Sequence, residues 1–227
     1  MAEQIYVYLE IGSKRTFASA LDWPGWCRSG KDDISALQSL LDHAARYSAV
    51  IKPTKFRFPV PESSNQFKVI EKLEGGATTD FGAPEAIPSQ DKRPMNEAEL
   101  ERSIELLRVY WSAFDKAMKK AIGRKLTVGP HGGGRDLAGI VDHVIGANGS
   151  YLRSMGWKPA YKEIAAHPMQ LDQIRQDIVA GLTAAAHGEL PAKGPRGGIR
   201  WTPRYFVRRS GWHVLDHAWE IEDRLHP

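Results

Sequence analysis

The apolar residues that follow position 95 recur at intervals of three and four, and this period constrains the fold more than any other feature of the chain. In the first such segment they are Leu100, Ile104, Leu107, Trp111, Phe114, Met118 and Ala121. Such intervals return to the same side of an α-helix, so the segment is typical of a long amphipathic helix. Asn96 and Glu99 have the spacing of a capping box, which predicts where this helix begins.

Three more helices are predicted after the first. The second covers about residues 136–155 and the third about residues 168–185, each with an apolar stripe of helical period. The fourth begins with Thr202 as N-cap and Pro203 in the first helical position, and it continues to about Leu225. Four helices of similar length predict an antiparallel four-helix bundle over residues 95–227.

A small α+β unit is predicted at the N-terminus. Residues 4–11 and 16–21 are rich in β-branched, aromatic and small side chains and are separated by a short turn, which is typical of a β-hairpin. Asp32 or Asp33 then caps a predicted helix. Its predicted apolar face consists of Ile34, Leu37, Leu41 and Ala44.

Residues 52–95 form a predicted connector, because they are richer in Pro, Gly and Ser than their surroundings. They contain one predicted strand, at 67–73, and we expect the segment to pack on the first unit. The change in composition places a boundary near Pro94. The prediction is therefore an α+β chain with two domains, at 1–94 and 95–227.

The positive charge is concentrated in one segment. The formal net charge is +4, yet residues 193–209 hold six cations and no acid: Lys193, Arg196, Arg200, Arg204, Arg208 and Arg209. A short basic segment serves an anionic small molecule as well as a nucleic acid. The sequence does not favour nucleic acid, because no recognisable nucleic-acid-binding module accompanies the charge. The glycine-rich GPHGGGR at 129–135 lacks the Lys-Ser/Thr of a phosphate loop, so we interpret it as a flexible connection.

Cys27 is the single cysteine of the chain. It excludes an internal disulfide framework and any metal site that needs several thiolates from one chain. A bound metal would therefore have nitrogen and oxygen ligands. Apolar runs fall short of the roughly 20 residues that a membrane span requires, and the N-terminus lacks the order of a signal peptide. We accordingly expect a cytoplasmic protein with no membrane partner.

Two histidines interrupt the inner stripe of the fourth helix. This stripe consists of Phe206, Ser210, His213, Val214, His217, Ile221 and Leu225. His213 and His217 lie one turn apart on one face, which lets two imidazoles bind one ion. His143, beside the stripe of the second helix, would complete a three-nitrogen site with positions left for water or substrate. The alternative is a set of hydrogen-bonded core histidines without a metal, although neighbouring buried imidazoles are costly to desolvate.

The three histidines resemble the metal-binding triad of the DinB/YfiT-like superfamily of four-helix bundles. His143 stands in IVDHVIGANGSYL, and His213 and His217 stand in WHVLDHAWEIEDR; the superfamily takes one histidine from its second helix and an HxxxH pair from its last. The resemblance covers about residues 96–227. It implies a divalent metal, often zinc or nickel, and an enzyme that uses a low-molecular-weight thiol such as bacillithiol, mycothiol or glutathione.

One position departs from the superfamily pattern. Many members carry Gln three residues after the histidine pair, where this chain has Glu220. Glu220 is thus a candidate for a fourth ligand or a base, and Asp142, next to His143, is a second candidate acid or base. Each has a simpler alternative, because Asp142 can face water and Glu220 belongs to an acidic patch near the C-terminus.

The first 51 residues resemble the HicB antitoxin family, with its hairpin, its Pro-Gly loop, its Ser-Gly pair and its helix. The matching loop residues are Pro24, Gly25, Ser29 and Gly30. No DNA-binding module follows, so we expect an adaptor or dimerisation role for this domain rather than an antitoxin function.

Together these features predict a metal-dependent enzyme, a thiol-dependent S-transferase or related hydrolase that acts on a small molecule. Arg204 and Arg208, one turn apart on the fourth helix, are predicted to orient an anionic group of the substrate or thiol, with a solvated basic surface as the alternative. The alternative function is a non-catalytic interaction protein in which the HicB-like domain binds a partner and the metal only stabilises the fold. A homodimer is compatible with either function.

Overall fold

The computed structural model of the chain describes residues 3–128, 134–160 and 168–225, except for the side chain of Pro168. Most of the glycine-rich stretch that was interpreted as a flexible connection lies outside these ranges. The chain is mixed α+β, as predicted, with a four-stranded sheet first and long helices after it. None of the described helices has the length and apolar composition needed to cross a membrane.

The sheet contains the predicted hairpin and two further strands. Its strands are β1 (Ile5–Ile11), β2 (Thr16–Ala20), β3 (Cys27–Gly30) and β4 (Phe67–Glu74). Their order is β3-β2-β1-β4, with β1 antiparallel to β2 and parallel to β4. The hairpin and the connector strand are thereby confirmed. β3 was not predicted, because its short polar sequence CRSG resembles a turn. The residues form a strand through antiparallel pairing with β2, which the sequence does not show.

Two helices, α1 (Asp33–Asp42) and α2 (Ala44–Ile51), follow the hairpin in the chain. Asp32 caps α1 by accepting a hydrogen bond from the Ser35 amide at 2.8 Å. The predicted apolar face of α1 is wrong in part. Ile34 is 81% exposed, whereas Ala36 and Leu40 are buried, because the helix ends at Asp42 and packs with a face rotated from the predicted one.

The core beneath these helices is aromatic. Trp26 is completely buried, stacks on Tyr47 at 5.6 Å between ring centroids, and donates from Nε1 to the Leu40 carbonyl at 3.1 Å. Phe58 contacts Trp26 edge to face at 5.0 Å. Such aromatic pairs add to the free energy gained from burial, so this part of the chain folds around the two faces of Trp26.

A short helix, α3 (Ala77–Phe81), precedes the long helices α4 (Glu97–Ala121), α5 (Leu137–Met155), α6 (Pro168–Ala186) and α7 (Pro203–Arg224). The capping residues predicted for α4 and α7 are confirmed: Asn96 accepts from the Glu99 amide at 3.0 Å, and Thr202 accepts from the Tyr205 amide at 3.2 Å. The four helices predicted after residue 95 are confirmed, and each carries apolar residues at the helical period that its sequence indicated.

The contacts of the chain divide it into two compact units. One contains Met1–Arg93 together with Val207–Trp212, and the other contains Pro94–Phe206 together with His213–Pro227. The sequence did not predict that six residues of α7 belong with the N-terminal unit. In that unit Trp212 packs with Phe17 and Cys27 in a buried apolar cluster.

Candidate metal centre

Helix α7 presents two histidines toward the protein interior. Every member of its predicted inner stripe is buried, including His213 at 5% exposure and His217 at 9%. Their ring centroids lie 4.6 Å apart with nearly perpendicular planes, at 82°. This geometry follows from the helical period, which brings residues four apart onto the same side one turn along.

His143 of α5 completes the group. Its Nε2 atom lies 3.1 Å from the Nε2 atom of His213, and its ring centroid lies 4.9 Å from that of His217. One ligand nitrogen from each of the three histidines can be chosen so that all lie within 4.8 Å of one another. Two nitrogens bound to one tetrahedral zinc ion at their usual bond lengths are ~3.3 Å apart, so the pair formed by His143 and His213 has the separation of two ligands. The three histidines are therefore close enough to bind one metal ion.

The environment of His143 favours its neutral form. Burial first, and then the electrostatic effects of His217 and Arg135, together lower the pKa of His143 from 6.5 to about 4, against the opposing charge of Glu220. A neutral imidazole offers a lone pair to a metal, whereas an imidazolium does not. His143 is consequently in the ligand form at neutral pH.

Glu220 orients His217. Its Oε2 atom accepts a hydrogen bond from Nδ1 of His217 at 2.7 Å, and its Oε1 atom accepts from Nη1 of Arg224 at 2.6 Å. A carboxylate can only accept, so Nδ1 of His217 carries the proton and Nε2 is the nitrogen suited to a metal. The hydrogen bond from His217, aided by Arg224, holds the pKa of Glu220 below its usual range despite burial.

The contacts of Glu220 bear on the two roles predicted for it, a fourth metal ligand and a base. The carboxylate engages the far side of the His217 ring, as carboxylates commonly do beside metal-bound histidines. It stays ionised through the pH range in which enzymes work, so it suits the stabilisation of a ligand better than the donation of a proton. Asp142, the other candidate acid or base, is exposed on α5. This position agrees with the simpler interpretation, in which Asp142 faces water.

Arg208 does not have the predicted role of anion binder. Its guanidinium donates to both carboxylate oxygens of Asp91, at 2.6 and 2.8 Å, and to the carbonyls of Ala20 and Leu21, at 2.7 and 3.0 Å. The side chains of Arg208 and Asp91 are 7% and 3% exposed. The sequence showed a basic run but not its acceptors, which come from distant parts of the chain.

Arg204 also binds protein groups. Its guanidinium donates to the Pro94 carbonyl, at 2.9 and 3.1 Å, and forms an ion pair with Glu99 at the start of α4. The Arg204 side chain is 14% exposed. These contacts fix α7 to the N-terminus of α4 within the same unit, so the structure supports a structural role for Arg204 rather than substrate binding.

Two aromatic residues near the histidines were not singled out from the sequence. The ring of Tyr151 lies 5.7 Å from that of His213 and 5.1 Å from that of Trp201. Both side chains are half-buried. Tyr151 could have been found by helical spacing, since it lies two turns after His143 on α5; Trp201 precedes the N-cap of α7, and only the fold brings it there.

Cys27 has the environment of an inert thiol. It is buried, and burial raises the pKa of its thiol to about 12. The thiolate is the form that attacks electrophiles and binds metals, so this environment disfavours both reactions. The nitrogen-based site expected from the sequence agrees with that placement.

A small apolar cavity lies among the long helices. Its lining includes Val144 and Val214, the residues that follow His143 and His213, and its volume of about 10 Å³ holds roughly one water molecule. This cavity is too small for a substrate. Comparison of the chain with protein-family models, curated proteins and solved structures finds no match.

Proposed function

We propose that the chain is a metal-dependent enzyme of the DinB/YfiT-like kind, a thiol-dependent S-transferase or a related hydrolase, in which α4 to α7 form an antiparallel four-helix bundle. The observation that carries the proposal is the convergence of His143, His213 and His217 from two helices. Three protein nitrogens leave coordination positions for a substrate or a thiol, which is the pattern of catalytic rather than structural zinc sites.

The donor set favours some metals over others. Three imidazoles suit zinc and nickel better than calcium or magnesium, which prefer oxygen. When bound, such a metal supplies Lewis acidity and lowers the pKa of a coordinated thiol or water. The chain's own part is to keep His143 neutral, to hold His217 through Glu220, and to surround the ligands with buried side chains.

The half-buried rings of Tyr151 and Trp201 support an organic substrate. The two rings lie side by side and Tyr151 also contacts the ring of His213, so a planar or apolar group bound near the metal would gain contact with them. We propose that these rings, rather than Arg204 and Arg208, contact the substrate.

The experiment that tests this function begins with metal analysis of the full chain, purified without a metal-binding tag. We expect about one zinc or nickel per chain. The cobalt-substituted protein is then titrated with glutathione, bacillithiol and mycothiol, and a thiolate-to-cobalt charge-transfer band marks direct coordination of the thiol. Absence of stoichiometric metal would refute the metal site itself.

A non-catalytic function is the second candidate. The cavity beside Val144 and Val214 is compatible with it, because that cavity is water-sized and none of the three histidines lines it. In this case the metal would raise the free energy of unfolding and the N-terminal HicB-like domain would bind a protein partner. The same titration separates this candidate from the thiol-dependent transferase: a tightly bound metal that no thiol perturbs contradicts the transferase and is compatible with the interaction protein.

A further inference from the structure

Arg224 has the contacts of a residue that positions metal ligands. It is the last residue of α7, seven positions after His217, and it is 9% exposed. Its guanidinium donates from Nη1 to Oε1 of Glu220 at 2.6 Å, from Nε to the Thr127 carbonyl at 2.9 Å, and from Nη2 to the Arg135 carbonyl at 2.8 Å. Each of its three nitrogens therefore has an acceptor.

These acceptors connect the two helices that supply the histidines. Glu220 accepts the hydrogen bond from Nδ1 of His217, so Arg224 fixes the carboxylate that orients this candidate ligand. Arg135 immediately precedes Asp136, the N-cap of α5, and α5 carries His143. One guanidinium thus contacts both the carboxylate that orients an α7 ligand and the backbone where the α5 helix begins.

The surrounding backbone is shaped around Arg224. The Thr127 amide and hydroxyl both donate to the Arg224 carbonyl, at 2.9 and 3.0 Å. A Cβ atom at Gly134 would lie 2.6 Å from Nη2 of Arg224, so a side chain there would require the guanidinium to shift from these contacts. A solvated arginine at a helix end would need none of these contacts.

We infer that Arg224 is a positioning residue of the three-histidine centre: through Glu220 it sets the orientation and proton position of His217, and through the Arg135 carbonyl it aligns the start of the helix that carries His143. The inference rests on the proposed metal-binding function. Residues that hold metal ligands in place affect metal affinity without touching the metal. Mutation of such a residue typically weakens metal binding by about 10–100-fold.

The test is cobalt affinity of the full chain after removal of metal with a chelator, measured by competition with a chelating dye, together with the d–d absorption spectrum. We expect Arg224→Gln to weaken cobalt binding by about 10–100-fold and to change the spectrum, because His217 loses its fixed orientation. Arg224→Lys keeps a cation for Glu220 but cannot reach both carbonyls, so we expect a smaller loss, below tenfold, with an altered spectrum.

Arg175→Gln is the matched control. Arg175 forms a two-point ion pair with Asp115, at 2.6 and 3.0 Å, in the same unit but outside the histidine group. We expect this variant to lose stability while retaining cobalt affinity and the spectrum. If folded Arg224→Gln behaves like Arg175→Gln, the positioning role is overturned. If Arg224→Gln does not fold, Arg224→Lys decides, and an unchanged affinity and spectrum overturns the inference.

Failure of the underlying metal proposal has a different signature. The unmodified chain would then bind no cobalt, or His217→Ala would bind it as tightly as the unmodified chain. If cobalt binding is lost in His217→Ala but unchanged in the Arg224 variants, only the positioning role of Arg224 is refuted.

Discussion

His217 is the histidine with the most defined role in the group. Its Nδ1 donates to Glu220, so Nε2 is the nitrogen left available to a metal. We predict that His217→Ala abolishes stoichiometric metal, because two imidazoles cannot replace the three-ligand set. His187→Ala is the control, since His187 is exposed and paired with Glu97 at 3.1 Å. Metal analysis of both tag-free variants checks this, and full retention of metal by His217→Ala would contradict the assignment.

His143 makes the stability of the metal-free protein depend on pH. Its folded pKa of about 4 lies below its ordinary value of 6.5. Between these values the unfolded chain binds a proton at this position and the folded chain does not, so the free energy of unfolding falls as the pH falls through this window. Glu220, whose pKa is also lowered, acts in the same direction at more acidic pH.

The measurement is urea unfolding of the metal-free protein at pH 7, 6 and 5, beside His143→Gln. We expect the unmodified chain to lose stability over this range more steeply than the variant, because Gln does not titrate. Equal slopes for the two proteins would show that His143 titrates normally in the folded state.

Gly146 inside α5 and Gly156 at its C-cap are predicted to respond oppositely to replacement by alanine. Gly156 ends the helix with φ at +105°, and a Cβ atom there would overlap the guanidinium of Arg200. Gly146 lies inside the helix, and a Cβ atom there has nothing within 4 Å. We predict that Gly156→Ala destabilises the protein by more than about 1 kcal/mol, because alanine does not readily adopt that backbone conformation.

Gly146→Ala is the comparison on the same helix. Alanine has a higher helix propensity than glycine, so we expect this variant to gain about 0.5–1 kcal/mol. Thermal unfolding of the two variants checks the pair. A loss of stability in Gly146→Ala would contradict the prediction, because it would show that an added methyl group is unfavourable at this position despite the open space beside it.

At the scale of the whole molecule, the buried pair of Arg208 and Asp91 joins parts of the N-terminal unit that are far apart in sequence. Arg208 also lies over the ring of Tyr8, at 5.5 Å from its centroid. We predict that Arg208→Met destabilises the chain by about 3–5 kcal/mol, because Asp91 would remain buried without its cation. Urea unfolding of the full chain measures the loss.

The double variant Asp91→Leu with Arg208→Met distinguishes a stranded charge from lost packing. Removing both charges leaves no uncompensated ion, so we expect it to be more stable than Arg208→Met. Equal stability of the two variants would show that the pair acts through shape rather than charge.

The sequence alone determined the elements whose signals are local. Helical period and caps set α4 and α7, because Asn96 and Thr202 bond amides only three residues away. The histidine triad could also be assembled from the sequence, because helical spacing relates His213 to His217 and places His143 beside the apolar stripe of its own helix. Spacing does not show that the two helices face each other, and the resemblance supplied that step. The identity of the metal and the reaction remain proposals.

The tertiary structure decided everything that depends on partners distant in the chain. β3 forms because β2 lies beside it, and β4 joins β1 in parallel across 55 intervening residues between Ile11 and Phe67. The basic run looked like one surface in sequence, yet Arg208 and Arg204 each found a separate carboxylate, Asp91 and Glu99. A buried cation must be paired because burying an unpaired charge is costly, and the sequence shows which residues carry the charges. Only the folded chain determines which acceptor each cation meets.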